Sequence, residues 1–215
     1  MAKIRIKNFG PIRQGCPDDD GWIDIKKVSV FIGNQGSGKS CVAKLISTFT
    51  WIEKALVRGD YAISDFSAVK FRKTYCGYHR IANYFFNNAH SDAAEIEYEG
   101  EAYSMKYQKG DFQISEKQSR KYFLPQIMYV PAERNFISII KEAKSFKSLP
   151  DSLLEYITEF NNAKDEIKDG LSLPINDAEI KYDKQHDVIN VTGNDYQVEL
   201  EKHLGKQSPW HWHKE

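Results

Sequence analysis

Gly33-Asn34-Gln35-Gly36-Ser37-Gly38-Lys39-Ser40 fits the phosphate-binding pattern G-x-x-x-x-G-K-[ST] at every fixed position. Residues 28–32, Val-Ser-Val-Phe-Ile, precede this phosphate loop and are rich in β-branched and aromatic side chains, which predicts a buried strand. Residues 41–46 follow the loop and have the composition of a helix. A strand, a glycine loop and a helix in this order are the setting in which the motif binds phosphates.

The residue types of the phosphate loop predict its chemistry. Glycines at positions 33, 36 and 38 let the backbone turn tightly and approach an anion, so that successive N–H groups form an anion nest. The helix that begins there adds the positive end of its dipole. Lys39 is expected to contact the β- and γ-phosphates of ATP, and the Ser40 hydroxyl to ligate Mg²⁺. The alternative is a glycine-rich turn that binds nothing.

The predicted nucleotide contacts are the residues of the loop and of the first helical residue after it. They are Asn34, Gln35, Gly36, Ser37, Gly38, Lys39, Ser40 and Cys41.

The composition excludes several classes of protein. The 215 residues carry 30 Lys and Arg against 30 Asp and Glu, and a net charge of zero argues against a globally basic nucleic-acid binder. The three cysteines have neither zinc-site spacing nor the pattern of a disulfide framework, which favours a reduced cytoplasm. The N-terminus alternates charged and apolar residues, unlike a signal peptide, and no apolar run is long enough to span a membrane.

The pattern of apolar residues predicts an α/β fold, a P-loop NTPase with a mixed sheet built around residues 28–32 and 126–130. Short strands are expected near Ile4 and Ile6 and at residues 22–25, ahead of the phosphate loop. A helix is predicted at residues 39–57, ending at Gly59. Alternation at residues 94–116, interrupted by turn signals, predicts an antiparallel meander of three strands.

Residues 61–90 are aromatic with basic side chains among them, and form part of a predicted helical insertion at about residues 59–92. One interpretation is a helical layer with a buried aromatic face and a solvated basic face. The other is a surface for single-stranded nucleic acid, which combines the same residue types.

In the second half of the chain the apolar pattern predicts a helical segment at about 136–170, which includes an amphipathic helix at 150–170 that ends at Gly170. Residues 178–200 return to the alternation of polar and apolar residues. We expect residues 1–204 to form one P-loop lobe and residues 205–215 to be a disordered tail. His211 and His213 in that tail are a weak metal-binding alternative.

Residues 4–12 (Ile-Arg-Ile-Lys-Asn-Phe-Gly-Pro-Ile) and residues 31–40 together resemble the start of SMC/ABC-type ATPase heads. Residues 129–134 (Tyr-Val-Pro-Ala-Glu-Arg) resemble a segment of a bacterial branch of such ATP-binding proteins, the branch that includes OLD-like and anti-phage ATPases. The resemblance covers about the first 135 residues. It implies binding of ATP with Mg²⁺ and closure of a second head over the nucleotide, in a homodimer or with a partner ATPase head.

The chain departs from this family where hydrolysis would be completed. Such heads use an Asp-Glu pair after an apolar strand and a Ser-Gly signature motif from the partner head, and neither occurs after residue 135. The resemblance therefore implies the N-terminal lobe of a head, which hydrolyses ATP only when missing or partner segments complete it.

The residues expected to carry any catalysis are Lys39, Glu133 and Arg134. Glu133 is the nearest substitute for the missing acid, because it follows the apolar run 127–130 by a short turn. The alternative is that Glu133 and Arg134 pair with each other or with surface charges. Two other functions stay open, a small P-loop kinase and an interaction module that binds nucleotide without turnover.

Overall fold

The computed structural model describes residues 2–85, 93–118, 122–138, 149–168, 170–173, 179–185 and 188–192. The chain divides into two units, which are described separately. The first consists of Met1–Tyr129 with Pro150–Ser152, and the second of Val130–Leu149 with Leu153–Glu215.

An antiparallel sheet of five strands in the order β2-β1-β3-β4-β5 forms the first unit's framework. The strands are β1 (Lys3–Lys7), β2 (Trp22–Asp24), β3 (Glu95–Glu99), β4 (Tyr103–Gln108) and β5 (Asp111–Glu116). The predicted meander and the two predicted N-terminal strands are thus confirmed. Alternation explains the pairing, since β1 and β3 bury every second residue, and the buried Ile6 lies opposite the buried Ile96.

Helix α1 (Lys39–Arg58) contributes its apolar side to the core that also contains the buried face of the sheet. The ring of Phe49 on α1 stacks on Tyr98 of β3 at a centroid distance of 5.2 Å. The helix ends at Gly59, whose left-handed backbone (φ 74°) has its N–H directed at the carbonyls of the last turn. The predicted helix and its glycine stop are therefore confirmed.

The segment after α1 is built from short helical turns. They are Ile63–Asp65, Ala68–Lys70, the π-helix Phe71–Tyr75, Cys76–Tyr78 and Ala82–Phe85. Its aromatic residues Phe66, Phe71 and Phe85 are buried, whereas Lys70 and Lys73 are exposed. This arrangement agrees with a helical layer that has a buried aromatic face and a solvated basic face. Residues 86–92 of the predicted insertion lie outside the described residues.

The predicted strands at residues 28–32 and 126–130 are wrong. Neither segment is in a strand, and the sheets of the described residues are antiparallel rather than mixed. Val28, Val30 and Ile32 are 77%, 76% and 93% exposed, and Met128 and Val130 are also exposed. A β-branched sequence forms a strand only when another strand pairs with it, and within the described residues none pairs with either segment.

The second unit contains most of helix α2 (Asp151–Glu166) and the antiparallel strands β6 (Gly170–Leu173), β7 (Glu179–Asp183) and β8 (Val188–Thr192). The predicted helix is confirmed, but Gly170 begins a strand instead of ending the helix. Strands β7 and β8 confirm the alternation predicted from residue 178, as far as residue 192. The region 193–200, the tail at 205–215 and residues 139–148 lie outside the described residues.

Among the helices of the described residues, none combines the length and the apolar character needed to cross a membrane.

Candidate functional site

The phosphate loop turns at two left-handed glycines where α1 begins. Gly36 and Gly38 adopt positive φ angles of 78° and 97°, and α1 starts at Lys39 directly after them. No side chain caps this helix end, and its first turn contains no acidic residue. The N–H groups of the first turn and the positive end of the helix dipole thus meet no carboxylate from that turn.

Lys39 is folded back onto the phosphate loop. Its Nζ donates hydrogen bonds to the carbonyl oxygens of Gly33 and Asn34, both at 2.7 Å, and lies 3.4 Å from Ser37 Oγ. The ammonium group has three N–H donors, and it finds hydrogen-bond acceptors for them within the loop. The cation is consequently held beside the residues that the motif assigns to phosphate binding.

The other predicted contact residues differ in exposure. Asn34, Gln35, Ser37 and Ser40 are exposed and accessible to a ligand. The Cys41 side chain is buried in the core, and its burial raises the pKa of the thiol. A contact from Cys41 to a phosphate would therefore come from its backbone N–H.

A magnesium ion fits the site only with help from the nucleotide. Within the described ranges, no group of three or more His, Cys, Asp or Glu side chains has the arrangement of a metal site. Mg²⁺ commonly keeps several waters and takes one or two protein ligands together with phosphate oxygens. The exposed Ser40 hydroxyl at the start of α1 is compatible with that role.

Glu133 and Arg134 lie in a 3₁₀-helix, Ala132–Ser138, and both side chains are exposed. They belong to the second unit, whereas the phosphate loop belongs to the first. Within the described residues, neither forms an ion pair. The catalytic role predicted for them stays a prediction.

A contact that the motif did not predict reaches the phosphate loop from the turn after β1. A Cβ placed on Gly38 would lie 2.5 Å from Ile12 Cγ1 and 3.4 Å from Pro11 Cγ. The only signal in the sequence was that residues 4–12 resemble the start of SMC/ABC-type heads, and this resemblance did not indicate a contact with Gly38.

His79 is a buried titratable group in the first unit. Its ring packs edge-on against Tyr129 at a centroid distance of 4.6 Å, and its Nδ1 has no hydrogen-bond partner within the described residues. Burial, with a smaller contribution from the charge of Lys44, lowers the pKa of His79 to about 4. The folded state therefore favours the neutral imidazole at pH values where an unfolded chain binds a proton.

We expect the fold to lose stability as pH falls from 7 to 5. The unfolded state binds more protons than the folded state between the folded pKa of about 4 and the unfolded value of 6.5, so protonation favours unfolding there. The free energy of unfolding should fall by about 2 kcal/mol over that range. Urea unfolding at several pH values measures it. His79→Phe should remove most of the dependence, and an unchanged slope in that variant would contradict the assignment.

Comparisons with known proteins gave no relative. A scan against models of protein families, a search of curated proteins and a search of solved structures each found no match to this chain.

Proposed function

We propose that this chain binds ATP or ADP with Mg²⁺ at the phosphate loop, as an ATP-binding lobe similar to SMC/ABC-type ATPase heads. The observation that carries the proposal is the pair of left-handed glycines, Gly36 and Gly38, placed directly before an uncapped helix that begins with Lys39. This geometry supports the motif, because backbone N–H groups, helix dipole and lysine then act on one anion. The three unpaired cysteines support a location in a reduced cytoplasm.

Replacing Lys39 with alanine should weaken the binding of MgADP and MgATP by about 2–3 kcal/mol, the typical contribution of a charge-assisted contact. The side chain must leave Gly33 and Asn34 to reach a phosphate, but it keeps its charge in either position. Titration calorimetry on the wild type and the variant measures the difference.

Lys27→Ala is the matched control, since it removes an exposed positive charge from the segment before the loop. It should leave the affinity within about twofold of the wild type, as expected for a screened surface charge. Equal affinities for the wild type and Lys39→Ala would contradict the proposed site, and so would a wild type that binds neither nucleotide.

We expect the isolated chain to hydrolyse ATP very slowly or not at all. A phosphate loop supplies positioning and charge neutralisation, whereas hydrolysis also needs a group that orients the attacking water. If Glu133 has this role, Glu133→Gln should keep nucleotide binding and abolish the residual turnover. A steady-state phosphate-release assay measures the turnover of the wild type and of Glu133→Gln, and a wild-type rate near the ~10 s⁻¹ typical of enzymes would contradict this prediction.

The second candidate is a nucleotide-dependent interaction module without turnover, and the exposed apolar residues next to the loop favour it. Ile32, directly before Gly33, is 93% exposed, and Val28 and Val30 in the same segment are 77% and 76% exposed. Large exposed apolar groups mark surfaces that contact other polypeptides. A second copy of the chain or a partner ATPase head is the proposed contact, and sedimentation with and without MgATP separates a nucleotide-dependent assembly from a monomer.

A further inference from the structure

The turn that follows β1 is closed by its own backbone. Asn8 N donates to Arg13 O at 3.1 Å, while Phe9 and Ile12 exchange two hydrogen bonds of 2.9 and 3.0 Å. Asn8 and Gly10 take the positive φ angles, 52° and 54°, that such a tight reversal requires. The turn is therefore a defined structure rather than a loose connection.

Aromatic packing fixes this turn in the core of the first unit. Phe9 is fully buried, and its ring meets Tyr84 and Phe85 edge-on at 5.6 and 4.9 Å. A Cβ on Gly10 would lie 2.6 Å from Tyr84 Cδ2, so the Tyr84 ring also packs directly on the turn backbone. Tyr84 also lies beside Cys41 in the first turn of α1, and the two side chains affect each other's pKa.

Ile12 projects from the turn onto Gly38. Its side chain is 8% exposed, and its Cγ1 and Cδ1 would lie 2.5 and 3.1 Å from a Cβ at Gly38. Gly38 is itself buried, has φ 97°, and its carbonyl accepts the hydrogen bond from Val42 N at 3.0 Å. Gly38, the residue directly before the helix, is thus covered by the side chain of Ile12 from the turn after β1.

We propose that Ile12 is a positioning residue for the phosphate loop, which holds Gly38 in its left-handed conformation and so directs the first N–H groups of α1 toward the ligand. This inference rests on the proposed nucleotide binding. A free glycine visits many backbone conformations, and a ligand that needs one of them must order it on binding. Packing from Ile12 orders Gly38 beforehand, which favours affinity without a contact between Ile12 and the nucleotide.

The test compares Ile12 with a matched isoleucine of the same core. Ile12→Ala should weaken MgADP binding about tenfold, the effect of ordering roughly one backbone residue. Ile12→Val, which removes only the Cδ1 methyl, should weaken it about threefold. Ile96→Ala and Ile96→Val remove the same groups from β3 and should leave the affinity unchanged. The valine pair answers the question if the alanine variants do not fold.

Hydrogen exchange of the Val42 amide supplies an independent readout without nucleotide. This amide is bonded to Gly38 O, so Ile12→Ala should accelerate its exchange about tenfold relative to the Asp60 amide at the other end of α1. The ratio should be unchanged in Ile96→Ala. Wild-type affinity and an unchanged ratio in Ile12→Ala would overturn the inference while nucleotide binding stands.

A wild type that binds no MgADP would instead contradict the proposed function. The exchange ratio alone then decides whether Ile12 positions the loop, with a selective increase in Ile12→Ala supporting it and equal ratios overturning it.

Discussion

Replacing Glu53 with alanine is expected to lower the free energy of unfolding by about 3–5 kcal/mol, because it removes the acceptor of several buried donors. Glu53 lies on α1 and is only 2% exposed. Its carboxylate accepts hydrogen bonds from Tyr98 OH at 3.0 Å, Ala102 N at 2.7 Å and Tyr103 N at 3.1 Å. One side chain of the helix thereby holds the connection between β3 and β4.

The surroundings of the carboxylate leave little room for compensation. A Cβ on Gly100 would overlap the Glu53 carboxylate, so the backbone of the connection closes directly over it. Burial, together with the Glu53 charge, raises the pKa of Tyr98, which keeps this phenol as a donor. Alanine at position 53 would leave the two backbone N–H groups without their acceptor.

Urea unfolding followed by tryptophan fluorescence measures the effect. Glu53→Gln keeps an acceptor oxygen but not the charge, and should lose about 1–2 kcal/mol. Glu101→Ala removes an exposed carboxylate from the same connection and should stay within about 0.5 kcal/mol of the wild type. A Glu53→Ala loss as small as that of Glu101→Ala would show that the buried bonds contribute little.

Local periodicity was sufficient to predict the elements whose partners are close in sequence. The meander β3–β5 pairs through short turns, so alternation between residues 94 and 116 already contains the register. Helix α1 was equally clear, because its apolar stripe and Gly59 are both local signals.

Residues 28–32 could not be predicted correctly from composition. Their β-branched side chains favour a strand, but a strand also needs a neighbour to hydrogen-bond, and that condition is not local. In the structure only Phe31 packs toward the core, while Val30 and Ile32 are exposed. The sequence pattern thus indicated that the segment is suited to a strand, but it contained no information on whether another strand would pair with it.

The candidate site was predictable to the same extent. The motif located the glycines that adopt left-handed angles and the lysine that begins the helix. It contained no information on Ile12, because that residue reaches Gly38 only through the folded turn. Glu53 was equally hidden, since nothing in a helical stripe distinguishes a buried glutamate from an exposed one.

Phe71→Ala is expected to lower the free energy of unfolding by about 3–5 kcal/mol, the range for a large aromatic deletion in a core. Phe71 is fully buried, stacks on Phe112 at 4.4 Å with an interplanar angle of 10°, and contacts Phe49 at 5.3 Å and Tyr107 at 5.6 Å. It therefore joins the π-helical turn to α1 and to the sheet, and its loss leaves a cavity that three elements line.

Phe71→Leu separates the loss of side-chain volume from the loss of the aromatic ring, because leucine keeps much of the volume but has no ring. We expect it to lose about 1–2 kcal/mol, because aromatic pairing contributes beyond the buried area. Phe123→Ala deletes a ring that is 80% exposed and should stay within about 0.5 kcal/mol of the wild type. Thermal and urea unfolding measure all three variants. If Phe71→Ala were as stable as Phe123→Ala, the packing of Phe71 against α1 and the sheet would contribute little to the free energy of unfolding.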